Sequence, residues 1–96
     1  MPAYVTVQLK ITDPAVFDEY RKVAGPAMAK HGAKPISSGK AEVLYDAGLG
    51  AGPGVLLEFP SVEAVHAWLD DPEIAEVHAL RNRGAAATLT LLPVTA

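Results

Sequence analysis

Glu58-Phe59-Pro60-Ser61-Val62-Glu63-Ala64-Val65-His66-Ala67-Trp68-Leu69-Asp70-Asp71-Pro72-Glu73-Ile74, continuing to Arg81, decides how this chain folds. A strand ends at Phe59-Pro60. Ser61 can accept from the free amides of a helix over residues 61–70, and Asp71-Pro72 repeats that start signal for a second helical segment reaching about residue 83. The sole tryptophan, Trp68, lies inside the first of these segments. Two helix starts in tandem after a strand point to a layer of helices laid across a sheet, and this stretch is the natural wall of any pocket between them.

Outward from that stretch, residues 55–59 read as the strand before it (β3) and residues 86–94 as the strand after it (β4). Upstream, residues 46–54 carry Gly48, Gly50, Gly52 and Gly54, a density that only a loop tolerates. Residues 36–45 read as β2, with Ser37-Ser38-Gly39 as an irregular or bulged start. At the N-terminus Ala3, Val5, Val7, Leu9 and Ile11 alternate with Tyr4, Thr6, Gln8 and Lys10, the period of a half-buried strand, β1. Thr12-Asp13-Pro14 stops it and starts a helix, in which Val16, Phe17, Tyr20, Val23, Ala24, Ala27 and Met28 form one apolar stripe. Gly25-Pro26 predicts a bend within a single helix, and His31-Gly32 closes it with a glycine suited to a left-handed residue.

The order β-α-β-β-α-β is the ferredoxin-like plan: an α+β fold with one antiparallel four-stranded sheet and its helices on one face. The 96 residues allow a single domain, 1–96. The other face carries Tyr4, Thr6, Gln8, Lys10, Glu42, Leu44, Leu56, Glu58, Thr88, Thr90 and Leu92, too apolar for plain solvent exposure and too polar for a core. A second copy of the same sheet would cover it, so a homodimer through the sheet faces is expected.

Composition removes several function classes. A net charge of -3 offers no basic field for nucleic acid. The absence of cysteine removes disulfides, thiolate nucleophiles and zinc-finger ligand sets. Neither a leader pattern at Met1-Pro2-Ala3 nor an apolar run of about 20 residues is present, so no membrane partner and a cytoplasmic location are expected.

Met1-Pro2-Ala3-Tyr4-Val5, Thr12-Asp13-Pro14 with Glu19-Tyr20-Arg21, and Leu57-Glu58-Phe59-Pro60-Ser61 with Ala67-Trp68, Pro72-Glu73 and Arg81 together resemble the domain-of-unknown-function 1330 family. The resemblance covers nearly the whole chain. It implies membership of the dimeric α+β barrel superfamily and a pocket between the helices and the sheet of each subunit. Relatives there include cofactor-free quinone-forming monooxygenases, haem enzymes, polyketide cyclases and muconolactone isomerases. The sequence departs from the family in carrying Ser38 before Gly39, where arginine is common, and Leu69 and Ile74, where an aromatic residue is usual. A pocket lined by Ser38, Leu69 and Ile74 would be less cationic and more apolar.

Arg81 follows Ile74 and Val77 on one helical stripe, so its guanidinium is expected to be buried. One reading pairs it structurally with Glu58, Asp70 or Asp71. The other makes it a fixed cation for an enolate, phenolate or carboxylate. Trp68 and Tyr20 either fill the core or form a flat slot for an aromatic ligand, similar to the tryptophan and arginine pairing of the quinone-forming monooxygenases. His66 and His78 read as solvated, without metal-ligand spacing. His31 sits where a helix C-terminus favours its protonated form and, with Ser38 nearby, is the candidate general acid or base. The glycine-rich loop has no following helix to cradle a phosphate, and Ser37-Ser38 lacks a nucleophile elbow.

The expectation is therefore a small-molecule enzyme or binding protein without a cofactor or bound metal, acting on a compact aromatic or polyketide-like compound. Arg81 and His31 would carry the chemistry, and Tyr20, Ser38, Trp68, Leu69 and Ile74 would contact the ligand. The rival readings are a non-catalytic homodimeric stress or assembly module, and haem handling with His31 as the proximal ligand.

Overall fold

The computed structural model describes residues 1–48 and 53–93. The elements run β1 (Ala3–Ile11), α1 (Pro14–Lys30), β2 (Lys34–Lys40), β3 (Pro53–Phe59), α2 (Val62–Asp70), a 3-10 turn (Pro72–Ile74), α3 (Ala75–Gly84) and β4 (Ala85–Leu91). The strands form one sheet in the order β2-β3-β1-β4, with β1 antiparallel to both of its neighbours. That is the ferredoxin-like arrangement. The two inner strands are β1 and β3, and β1 carries the longest alternation.

The caps anticipated from the sequence form. Asp13 Oδ1 accepts from the Val16 amide at 3.3 Å with Pro14 in the first turn, and Ser61 Oγ accepts from the Ala64 amide at 3.1 Å. Asp71 Oδ1 accepts from the Glu73 amide at 2.9 Å and starts the 3-10 turn. Helix α1 continues through Gly25-Pro26 as one element and ends at His31, after which Gly32 takes a left-handed φ of 73°.

The core lies between the sheet and the helices. Ala3, Val5, Val7 and Leu9 of β1 meet Leu57 and Phe59 of β3, Phe17 and Ala27 of α1, and Val65 and Trp68 of α2. Phe59 is completely buried and packs against Trp68 with the rings tilted at 54° and 5.4 Å between centroids. The opposite sheet face is bare. Tyr4 there donates its hydroxyl to Glu58 Oε1 at 3.2 Å, directly across the β1–β3 register, and the neighbouring carboxylate raises the Tyr4 pKa.

Four expectations need correction. Strand β2 covers Lys34–Lys40 rather than residues 36–45, so Glu42 and Leu44 are not on the sheet. Its irregularity lies between Pro35 and Ser37, where the register against β3 shifts, one step before the predicted bulge. Strand β3 starts earlier than expected, at Pro53, because β2 and β3 continue to pair through Gly39↔Gly54 and Lys40↔Pro53. Strand β4 ends at Leu91, with Leu92 and Pro93 past it, short of the expected residue 94; residues 49–52 of the glycine-rich loop and Val94 lie outside the described residues.

Candidate functional site

Every residue of β2 is exposed. Its sequence, Lys-Pro-Ile-Ser-Ser-Gly-Lys, offers only short side chains near its middle, so little fills the space between this edge strand and α1. The result is a cavity of about 460 Å³. Val7, Leu9, Val55, Leu57 and Leu89 form its floor on the sheet, Phe17, Tyr20, Ala24 and Met28 its wall on α1, and Trp68 and Arg81 come from α2 and α3. Arg21, Gly25, Pro35, Ser38 and Gly39 line it as well, and because all of these are exposed they mark its opening.

Arg81 is only 7% exposed. Its Nε–H donates to Asn82 Oδ1 at 3.2 Å and its Nη1–H to His78 Nδ1 at 3.2 Å. Among the described residues no carboxylate lies within ion-pairing distance of it. The structural ion pair is thereby overturned: Glu58 faces the other side of the sheet with Tyr4, and Asp71 is held by Lys30 and His31. A buried guanidinium with only neutral partners keeps its charge uncompensated, a costly state that an anion entering the cavity would relieve.

Tyr20 and Trp68 stand in the same wall. Burial raises the pKa of the Tyr20 hydroxyl, and the charge and hydrogen bond of Arg81 pull it back in part. Trp68 is 3% exposed and its Nε1–H has no hydrogen-bond partner. A buried unpaired donor costs about 1–3 kcal/mol, a cost that this nitrogen bears in the folded chain. Among the described residues no histidine, aspartate or glutamate lines the cavity. The described wall therefore presents a guanidinium and neutral groups, with no carboxylate or imidazole base.

The structure brings Tyr20, Ser38, Trp68 and Arg81 together around this cavity. It places three other predicted residues elsewhere. Leu69 is 42% exposed, because one step along the helix from the inward-facing Trp68 turns it away. Ile74 is buried in the core below α2. His31 is outside the cavity, its Nε2 2.8 Å from Asp71 Oδ2. His78, read as solvated, is instead buried at 9% exposure. Its spacing from Ile74 and Arg81, four and three residues, places it on their stripe and was the available signal.

The His31 cluster ties the end of α1 to the 3-10 turn. Lys30 Nζ lies 2.7 Å from Asp71 Oδ2 and 2.6 Å from Glu73 Oε2. Hydrogen bonds from Lys30 and then His31 hold the Asp71 carboxyl well below the usual carboxylate range. A carboxylate whose folded pKa is depressed stabilises the fold above its unfolded pKa, and that contribution fades as pH falls through the folded value. The melting temperature of Asp71→Asn is expected to be below wild type at pH 7, with the gap narrowing progressively below about pH 4. A gap unchanged between pH 7 and pH 2 would show that the cluster contributes nothing through charge.

Among the described residues no helix is long and apolar enough to cross a membrane, and no group of three or more His, Cys, Asp or Glu side chains could hold a metal ion.

No curated protein matches the sequence. Among solved structures the chain is similar to RPA0582 of Rhodopseudomonas palustris, a protein of unknown function, at 19% identity and a TM-score of 0.74, covering 99% of this chain and 84% of that one. It is similar to a dimeric ferredoxin-like protein of unknown function from Jannaschia sp. CCS1, at 14% identity and TM-score 0.74, over 98% of this chain and 100% of that one. It is also similar to SnoaB of Streptomyces nogalater, a cofactor-independent oxygenase, at 9% identity and TM-score 0.67, over 99% of this chain and 94% of that one. At these identities the likeness establishes the fold. The model of the family described as "Domain of unknown function (DUF1330)" matches residues 2–95, and this ferredoxin-like chain belongs to that family.

Proposed function

We propose that this protein is a cofactor-free small-molecule enzyme or ligand-binding protein that takes a compact aromatic or polyketide-like anion into the cavity beneath α1. The observation that carries this reading is the buried, carboxylate-free guanidinium of Arg81 in the wall of an otherwise largely apolar chamber. The apolar floor suits a flat carbon skeleton. Arg81, with the Tyr20 hydroxyl beside it, suits one anionic oxygen group at its edge.

Stabilising an enolate or phenolate is the step that oxygenase, cyclase and isomerase chemistry of this kind share, and the fold is also that of a cofactor-independent oxygenase. Among the described residues the cavity wall has no carboxylate or imidazole, so the anion enters already ionised or loses its proton to solvent. The subunit is proposed to pair with a second copy through the bare sheet face, where Tyr4, Thr6, Leu56 and Thr90 stand, in keeping with the dimeric neighbour from Jannaschia.

Titration with a panel of aromatic acids, quinones and lactones, followed through Trp68 fluorescence, tests the reading. Saturable changes confined to anionic or enolisable aromatic compounds are expected. Silence across the whole panel would favour a non-catalytic dimeric module, in which the same side chains are core. Light scattering tests the dimer separately, a stable particle of 10.0 kDa being the result against it.

A further inference from the structure

Arg81 is held on one side by His78, and the atoms of that contact define the state of the ring. The Trp68 carbonyl can only accept, so His78 Nε2, 2.8 Å away, carries the proton and donates. Arg81 Nη1 can only donate, so His78 Nδ1, 3.2 Å away, has no proton and accepts. Both partners are satisfied by one species alone, the neutral imidazole with its proton on Nε2. The edge-on contact with the Trp68 ring, 4.8 Å between centroids at 89°, fixes the plane of the imidazole.

This changes what the arginine can do. Buried arginines are usually steadied by a carboxylate, which fixes the guanidinium and also cancels its charge. Here a neutral acceptor fixes it and leaves the charge intact. We infer that His78 is the positioning residue of the site: it fixes the Arg81 guanidinium without neutralising it, so that the cavity selects an aromatic carboxylate or phenolate over the same skeleton without the charge. The inference rests on the pocket reading above and adds to it the source of anion selectivity. It also explains why His78 is buried one turn before Arg81 and bonded to the backbone of the helix that carries Trp68.

Isothermal titration calorimetry with 1-naphthoate and 1-naphthamide, probes of one shape differing in charge, measures the selectivity directly. Wild-type protein is expected to prefer the acid by tenfold or more. His78→Leu, which removes the acceptor, should reduce that preference by about tenfold while leaving the affinity for the amide within about twofold. His78→Gln, which can both accept from Arg81 and donate to the Trp68 carbonyl, should retain most of it. His78→Glu supplies the missing carboxylate and should erase it.

A preference unaltered in His78→Leu, or acid and amide weakened equally there, would overturn the inference and leave the pocket reading standing. Wild-type protein that binds neither probe would overturn both. A measurement without ligand stands beside these: the ¹⁵N resonances of the His78 ring should report a proton on Nε2 only. A ring protonated on Nδ1 would refute the assignment even if every His78 variant failed to fold.

Discussion

Replacing Arg81 by methionine is expected to lower the affinity for an aromatic carboxylate about a hundredfold, the equivalent of about 2.8 kcal/mol, while leaving the ligand-free protein within about 1 kcal/mol of wild-type stability or above it. The two halves of that result come from one fact. Arg81 is 7% exposed and has neutral partners only, so in the empty protein its charge is desolvated without compensation. Methionine fills a similar volume without the charge, and the gain offsets the about 1 kcal/mol lost when His78 Nδ1 loses its donor.

A core residue behaves in the opposite way, because its removal costs stability and leaves ligand selectivity untouched. Thermal denaturation of the ligand-free variant, set beside calorimetric titration with 1-naphthoate, separates the cases. Arg81→Met that unfolds several degrees early yet binds the acid as wild type does would make the arginine structural.

Gly84→Ala is expected to destabilise the protein by about 3 kcal/mol or more, a drop in melting temperature of roughly 12 °C or more for a chain of this size. Gly84 ends α3 and its carbonyl accepts from the amides of both Thr12, at 2.9 Å, and Asp13, at 3.0 Å. The α3–β4 junction is thereby bound to the β1–α1 junction. A Cβ at this position would stand 2.8 Å from the Phe17 amide nitrogen and 2.9 Å from its Cα, both backbone atoms that cannot swing aside. The helices would separate, and because Phe17 and Arg81 face the cavity from those same helices, ligand affinity should fall with stability. An alanine variant melting within 3 °C of wild type would mean that the junction yields more readily than its hydrogen bonds suggest.

Glycine at residue 84 carried no such message in the sequence. It follows Arg83 and precedes a run of alanines, with nothing beside it to mark a close approach. The requirement comes from Phe17, far away along the chain, so no local pattern could express it. His78 differs, since its spacing from Ile74 and Arg81 already places it on their stripe. Flanked by Val77 and Ala79 it reads as a polar break in that stripe, and only the carbonyl of Trp68 and the guanidinium of Arg81 give its two nitrogens a reason to be buried.

What the sequence by itself determined was the order of the elements and, for β1 and most of α1, the face that is buried. The alternation of Ala3 to Ile11 made β1 a half-buried strand, and Asp13-Pro14, Ser61 and Asp71-Pro72 started helical segments where they were expected. These are local effects of side-chain period and of unpaired amides, written within a few neighbouring residues. Tertiary structure alone decided which of the pocket candidates meet. Tyr20, Ser38, Trp68 and Arg81 converge on one cavity, while His31, Leu69 and Ile74 are turned to Asp71, to solvent and to the core. That choice depends on how far α1 stands from an edge strand of small residues and on where each helix comes to rest over the sheet. Both are set by contacts between segments distant in the chain, which no short-range pattern encodes.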